Sequence, residues 1–562
     1  MSDLKEYIIT LNTHNDLDEF YTDMETLRPS MYGVMPERAV DCFFRRPSSR
    51  NTHYKLTQEE ADKLKEDPRV LAIELSPDEL GLKVTPVFSQ TSAYWDKSAT
   101  NSVNAHRNWG LYRCSLTGQI SGWGSDNTPT KSGTVTTTAS GKNVDVVICD
   151  GHVNPSHPEY AVNTDGTGGS RVNQFNWFSY NPQVIGNAPG TYTYTPYTDP
   201  ADPDITGDNN HGAHVAGTAC GNTQGWARDA NIYNISPYGT NPNSITGSSS
   251  ITGNLYISVF DFIRQFHLQK NINLETGLKN PTVVNNSWGL SGQLSLSNIT
   301  KLFHNGVVNN APTVNDFIFA GLPVFGNATS GYYTVYTARS ASITADVADC
   351  VADGIIMIGA AGNSYTRGAR SSSDSGYNDY IVYLGVTLYY GRGSSPGADM
   401  INVGAVDNTS NEYKGNYSNC GPAVDIFAPG TSIISSVNDT TSYGGTYDYR
   451  SASYYLSKIN GTSMASPQVT GVIACVLETY PTFNQADVLK YLQEYGFKNQ
   501  MGDSGNYPYD DSDLQGSPNL YLRYRLERPL TGPVYPKVNN NIRATSGQVY
   551  PRPRVYRWGP QI

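Results

Sequence analysis

Five short runs in the middle of this chain are apolar at nearly every position: 144–149 (VDVVIC), 230–235 (ANIYNI), 282–284 (TVV), 355–361 (IIMIGAA) and 400–406 (MINVGAV). A strand with one wet face alternates apolar and polar residues, so a run without alternation is covered on both faces. The runs end near Gly, Asn or Asp and lead into helical stretches. This predicts an α/β fold, a doubly wound and mostly parallel sheet with helices on both faces. Between the runs lie long stretches, 160–205, 290–345 and 364–398, rich in Gly, Ser, Thr, Asn and Tyr, which predict surface insertions. The 40 Tyr against 16 Phe fit that picture, because a tyrosine ring packs while its hydroxyl stays solvated.

The first segment has a different rhythm. Residues 7–11 form an apolar strand run, and Leu17, Phe20, Tyr21, Met24 and Leu27 follow at helical spacing. Residues 40–44 read as a second strand and 53–56 as a third. Thr57 and Glu60 fit a capping box, in which each side chain satisfies an orphan backbone donor of a helix start. Pro68 stops that helix, and 69–75 (RVLAIEL) supplies a fourth strand. The order βαββαβ predicts a small α+β domain over 1–85, ahead of a main domain over 86–495. At the other end, 496–562 reads as a Pro-, Tyr- and Arg-rich tail. From Arg523 onward it holds eight Arg or Lys residues against Glu527 alone. With so few apolar residues it predicts either a strap lying on an acidic body or an attachment segment for an acidic partner.

Several classes are disfavoured. A net charge of −11 argues against a whole-chain nucleic-acid binder. No stretch approaches the ~18 to 20 uninterrupted apolar residues of a membrane helix, so no membrane partner is expected. The opening MSDLKEYIIT lacks the basic start and long apolar run of an export signal, so the expectation is synthesis in the cytoplasm, with incorporation in a particle as a further possibility. The cysteines at 42, 114, 149, 220, 350, 420 and 475 show no CxxC or Cys/His zinc spacing and are odd in number. They predict buried or semi-buried thiols in a reducing compartment.

Four positions carry chemistry. The run VDVVIC delivers Asp150 at its carboxyl end, where a carboxylate serves as metal ligand, capping group or orienting member of a triad. His211 opens HGAHVAGT, whose small residues let a helix pack closely beneath an imidazole; a two-His metal site needs a spacing of four with an intervening Glu, and here it is three with none. Ser463 follows a Gly-Thr turn and precedes the apolar helix VTGVIACVL, beside free backbone N–H groups and a positive dipole end. An isolated Gly-Thr-Ser is ordinarily a helix cap; its conjunction with Asp150 and His211 in chain order points to a nucleophile. The run IIMIGAA ends in Gly362 and Asn363, which brings a carboxamide to the same sheet edge.

These residues resemble the subtilisin-like serine protease family: DGHVNPSHPE at 150–159, HGAHVAGT at 211–218 and GTSMASP at 461–467 match its Asp, His and Ser motifs. Asn363 in AAGN matches its oxyanion asparagine, and NNSWG at 285–289, VDIFAPG at 424–430 and NWGLYR at 108–113 give supporting matches. The resemblance covers roughly 95–495. It implies a subtilisin-like fold and a serine endopeptidase with Asp150, His211 and Ser463 as catalytic residues and Asn363 at the oxyanion. Ser287, Trp288, Gly289 and Gly362 would bind the substrate backbone, and no cofactor is needed. The first domain resembles the family's inhibitory propeptide. That implies a zymogen, with this domain as an intramolecular inhibitor of a polypeptide-cleaving enzyme and a self-inflicted cut in 80–95. Gly151 and Ala213 depart from the family's usual residues without removing a triad group. The segment after Thr218 is too short for the calcium loop of secreted bacterial members, and Glu159 is a lone acid where they place a ligand, so no metal is expected. The alternative is a non-catalytic or latent structural protein on the same fold, part of a larger assembly such as a virion and anchored by its basic tail.

Overall fold

The apolar periodicity of the first segment builds β1 (Lys5–Leu11), α1 (Leu17–Thr26), β2 (Asn51–Leu56), α2 (Gln58–Leu64) and β3 (Val70–Leu75). The structure, a computed structural model, describes residues 4–26, 32–81, 83–86, 109–115, 137–184, 210–237, 258–393, 399–409, 412–438, 443–503 and 513–525. Leu27, Asn108, most of the expected cleavage window and the tail beyond 525 lie outside them. The three strands pair antiparallel in the order β2-β1-β3. α1 buries Leu17, Phe20, Tyr21 and Met24 against them, and Thr57 and Glu60 form the expected capping box at the start of α2.

The strand expected at 40–44 does not form. Val40, Cys42 and Phe44 do point inward, which is the alternation that suggested a strand. Their backbone, however, bonds to three unrelated acceptors: Val40 N to Met24 O (2.7 Å), Cys42 N to Glu25 Oε1 (3.2 Å) and Phe43 N to His53 O (3.2 Å). Its one bond to β2, from Phe43 N, does not make a ladder, so the segment is an extended loop, and the unit is βαβαβ.

The chain continues through β4 (Lys83–Pro86), α3 (Trp109–Ser115), β5 (Asp145–Cys149), β6 (Val172–Asn173), α4 (Asn181–Val184), α5 (His211–Cys220), β7 (Asn231–Ile235), α6 (Val259–Gln269) and β8 (Thr282–Asn286). Next come β9 (Trp288–Ser295), β10 (Ile299–His304), β11 (Val307–Asn309), α7 (Val314–Phe319), β12 (Val324–Asn327), β13 (Gly331–Ala338) and α8 (Ala341–Ala352). The last part holds β14 (Ile356–Ala360), β15 (Tyr380–Tyr383), β16 (Val386–Leu388), β17 (Ile401–Val406), β18 (Ile426–Pro429), β19 (Ile433–Val437), β20 (Thr446–Tyr447), β21 (Tyr455–Ile459), α9 (Thr462–Thr479), α10 (Gln485–Tyr495), β22 (Phe497–Lys498) and β23 (Leu520–Tyr521).

The central sheet runs β22-β23-β18-β17-β14-β8-β5-β7-β6, parallel throughout except at the β22 edge. Alternate residues of β5 enter opposite cores: Val146 and Ile148 pack with α5 and α9, Val147 and Cys149 with α6 and α8. This is the doubly wound arrangement that the unalternating runs require.

The stretch 290–345 is more than a polar surface insertion. It supplies β9 to β13, which form the antiparallel sheets β12-β13-β9-β4 and, with β15 and β16, β11-β10-β15-β16. Leu290, Leu294, Leu302, Phe317 and Tyr336 bury into the second core, so these sheets have one dry face, and the Tyr and Thr content belongs to the wet one. The C-terminal boundary also moves. β22 and β23 join the central sheet, Leu514, Leu522 and Tyr524 are buried, and the compact unit runs to Leu526, with Glu527–Ile562 as a second unit outside the described residues. All seven cysteines are free and buried. Among the described residues, no helix is long and apolar enough to cross a membrane.

Candidate active site

In an open α/β sheet, ligands gather where the strand order reverses, beyond the carboxyl ends. β5 sits at that point, with β7 and β6 on one side and β8, β14 and β17 on the other, and Asp150 is the next residue along. Asn234 Nδ2 clamps the loop after β5 by donating to the carbonyls of Ile148 (3.0 Å) and Gly151 (2.9 Å). His211 opens α5, and its Nδ1 lies 2.7 Å from Asp150 Oδ1, both side chains fully buried. That closeness depends on Gly212, because a Cβ there would stand 2.2 Å from the Gly151 carbonyl oxygen.

Ser463 sits in the first turn of α9, a helix that packs on α5 and β5. Four residues on, Pro467 lacks the N–H that would bond the Ser463 carbonyl. Ser287 Oγ takes that acceptor at 3.0 Å, while Ser463 Oγ donates to the Ser287 carbonyl at 3.0 Å, so the two serines are tied reciprocally. Below them, Asn285 Nδ2 donates to Ser287 Oγ (2.9 Å), and its Oδ1 accepts Ser466 Oγ (2.8 Å) and Thr470 Oγ1 (3.0 Å).

After β14 the chain turns through Gly362, whose φ of 105° suits only glycine. Gly362 N donates to Thr462 Oγ1 (3.1 Å), and Asn363 Oδ1 accepts Thr462 N (3.0 Å) and Oγ1 (2.8 Å). The Asn363 carboxamide is thereby oriented by its oxygen, and its buried Nδ2 has no partner among the described residues.

Ser287, Trp288 and Gly289 run from the β8–β9 junction into β9. The Trp288 indole is buried in the second core and stacked on Phe260 (6.0 Å between centroids), so only its main chain is offered at the strand edge. β4 takes that edge, antiparallel: Pro86 pairs with Trp288, Thr85 with Gly289, Val84 with Leu290 and Lys83 with Ser291.

The other imidazole of HGAHVAGT has a structural place. His214 Nε2 meets the carbonyls of Ile433 (2.9 Å) and Ser457 (3.2 Å), and burial, followed by the neighbouring His211, pulls its pKa down to about 3. Glu159 is fully buried, accepts Thr223 N (2.9 Å) and Gln224 N (3.1 Å), and is ion-paired with the Arg450 guanidinium, which also holds Asp448 (2.7 Å). Its counter-charge therefore comes from a residue nearly three hundred positions away. Among the described residues no group of three or more His, Cys, Asp or Glu is placed to hold a metal ion. Asn234 and Arg450 carry no local signature and went unread in the sequence, while Thr462 and Asn285 lie inside the GTSMASP and NNSWG motifs but were given no role of their own.

The chain matches the family model described as the Subtilase family over residues 141–500. It is 37% identical over 122 residues to the extracellular serine proteinase of Thermus sp. (strain Rt41A), covering 22% of this chain and 24% of that protein. To subtilisin DY of Bacillus licheniformis it is 32% identical over 156 residues, covering 28% and 44%. Among solved structures, a cold-adapted subtilisin-like serine proteinase superposes with a TM-score of 0.42 at 20% identity, over 75% of this chain and 100% of that one. The matched region spans about a quarter to under half the length of these curated relatives. The family match covers well over half of the chain and contains Asp150, His211, Asn363 and Ser463, and on that ground the protein belongs to the subtilase family.

Proposed function

We propose that this protein is a serine endopeptidase held in a latent form by its own N-terminal domain. The observation that carries the catalytic reading is the buried Asp150–His211 hydrogen bond at the sheet's switch point, beside the helix whose first turn holds Ser463. In this reading Ser463 Oγ attacks a peptide carbonyl, and His211 takes the hydroxyl proton and returns it to the leaving amine as the C–N bond breaks. Asp150 holds the imidazole's tautomer and stabilises the imidazolium. Asn363 Nδ2 and the Ser463 N–H receive the oxyanion, and water then hydrolyses the acyl-enzyme. The relatives bear the names serine proteinase and subtilisin, which agrees with this chemistry.

Substrate would add to β9 as an extended strand through the main chain of Ser287, Trp288 and Gly289, with Gly362 opposite. Such binding depends little on side chains, so the substrate class is unfolded or extended polypeptide. The latent reading rests on β4, which already takes that edge and joins the N-terminal domain to it. Release requires a cut in 80–95, by Ser463 of the same chain.

A fluorophosphonate probe and intact mass, applied to wild type and Ser463→Ala, test both parts. The expected result is labelling and an N-terminal cut in 80–95 in wild type, and neither in the variant. No labelling of wild type, even after proteolytic removal of residues 1–90, would replace the enzyme with the structural alternative.

A further inference from the structure

The N-terminal sheet and the β15–β16 sheet end on opposite walls of one cleft of about 670 Å³. β3 contributes Ile73 and Leu75, and β16 contributes Val386 and Leu388. Each is the last strand of its sheet among the described residues, so each presents unpaired main-chain donors and acceptors along one edge. A volume of this size accommodates several residues of extended chain.

Cations outnumber carboxylates on its walls: Lys65, Arg339 and Arg392 against Asp62 and Glu74. Arg339 and Arg392 line the cleft, and among the described residues neither has a carboxylate within ion-pair reach. Arg339 donates from Nη1 to the Arg370 carbonyl (3.1 Å), and its Nε is buried without a partner. Burial, followed by Arg370 and Arg392, pushes its pKa below the usual arginine value. Of these three arginines only Arg370 meets an acid, Asp425, at 2.7 Å. Arg392 lies over the Tyr389 ring at 3.6 Å. The two acids on the walls are already engaged: Asp62 with Lys65 Nζ (2.6 Å), and Glu74 with Ala341 N (3.0 Å) and Ser342 N (3.1 Å) at the start of α8. Two half-buried guanidinium groups with no ion-pair partner among the described residues leave donors that an anion from outside the cleft can take.

We propose that this cleft is a docking site for an extended acidic polypeptide segment, with its carboxylates on Arg339 and Arg392 and its main chain along the open edge of β16. The open strand edges favour a polypeptide over a small anion, and the paired arginines favour acidic over neutral side chains. β3 belongs to the N-terminal domain and β16 to the rest of the fold, so a segment touching both walls binds the docked form and not the separated one. By linkage it holds the N-terminal domain in place and delays its release. That consequence rests on the reading of residues 1–85 as a separable inhibitor; the binding itself does not.

The test uses the full-length Ser463→Ala chain, which cannot cut itself under either reading. A fluorescein-labelled alternating Glu-Val octapeptide is titrated by anisotropy at about 0.15 M salt, where non-specific charge attraction is screened. Saturable binding is expected, with none for the Lys-Val octapeptide and slowed amide exchange at 386–388. Arg339→Gln with Arg392→Gln should weaken binding at least about tenfold. Arg392→Gln alone, checked for an unchanged melting temperature, should weaken it in the same direction. Absence of saturable binding, or equal binding by either well-folded variant, overturns the proposal. So does displacement by inorganic phosphate with no change in exchange at 386–388, which would mark a small-anion site. Failure of the fluorophosphonate test leaves these measurements untouched, so the two readings fail separately.

Discussion

Asn363 shows how a single carboxamide divides two duties. Its oxygen fixes the Thr462 backbone and hydroxyl, which holds the α9 entrance, and its nitrogen, unpartnered among the described residues, is the donor that the proposed mechanism gives to the oxyanion. Asn363→Asp keeps the acceptor and removes the donor. We expect kcat to fall by at least about 10² to 10³, the cost of one oxyanion donor plus the repulsion of the new carboxylate; an unchanged kcat would remove Asn363 from the reaction. His214 gives the pH dependence. Its folded pKa of about 3 lies below the ~6.5 of an unfolded histidine, so below pH ~6.5 the unfolded chain takes up a proton that the folded one refuses. Stability should therefore fall by up to about 1.4 kcal/mol per pH unit between ~6.5 and ~3 on account of this residue, with buried His53 and His157 adding in the same direction. Denaturant titrations from pH 7 to 4 should show a shallower decline in His214→Gln than in the parent, and identical slopes would refute the assignment. At this scale Asp150, His211, Ser463 and Asn363 were legible because each stands at an element end among small residues. The bonds of Thr462, Asn285 and Arg450 were not, because their partners lie about 100, 180 and 290 residues away; the first two sit inside the GTSMASP and NNSWG motifs, but a motif does not show what its residues bond.

The meeting of α5 and β5 is an element-scale device, and Gly212 is its weakest point. A glycine-to-alanine change inside a helix ordinarily helps by roughly 0.5–1 kcal/mol. Here the added methyl would stand 2.2 Å from the Gly151 carbonyl oxygen, so α5 must retreat and carry His211 off Asp150. A displacement of ~1 Å costs about 10² in rate. Gly212→Ala should thus lower both kcat and melting temperature, and a gain in stability with full activity would show that the close approach is not needed. The same physics explains which elements could be read. Runs apolar on both faces are unambiguous, and β5, β7, β8, β14 and β17 begin and end within about two residues of them. Residues 40–44 have the right alternation but, among the described residues, make only one main-chain bond to β2, from Phe43 N to His53 O, too little for a ladder, and periodicity carries no record of ladders. The sheets within 290–345 mix Tyr, Thr and Gly with few aliphatics, so their single dry face is diluted below recognition. β22 and β23 have only two residues each, too short for any period to register.

Across the whole molecule, the β2-β1-β3 sheet is tied to the rest of the compact unit by charge removed from water. Arg46 is fully buried, and its Nη2 reaches Asp261 Oδ2 in α6 and Asp346 Oδ2 in α8, each at 2.7 Å. Ser49 Oγ (2.9 Å) and Asn51 Nδ2 (3.1 Å) also bond Asp346, so the guanidinium arrives with two neutral donors from its own domain. Taking a guanidinium and two carboxyl groups out of water is expensive, enough that burial pushes the Asp261 pKa up to about 7, and their attraction offsets it only while all three are present. Arg46→Ala should therefore cost about 3–5 kcal/mol of docking, because two buried carboxylates lose their cation. Replacing all three together, Arg46→Met with Asp261→Leu and Asp346→Leu, removes the desolvation and the attraction at once and should restore most of the docking. Amide exchange in β1 to β3, measured in the Ser463→Ala chain so that no cut intervenes, separates the cases: fast for Arg46→Ala, slow for the parent and the triple variant. Slow exchange in Arg46→Ala would mean that apolar contact alone seats the domain. Fast exchange in all variants but the parent would mean that the ion cluster defines how the domain is seated, and that an apolar substitute cannot reproduce its geometry.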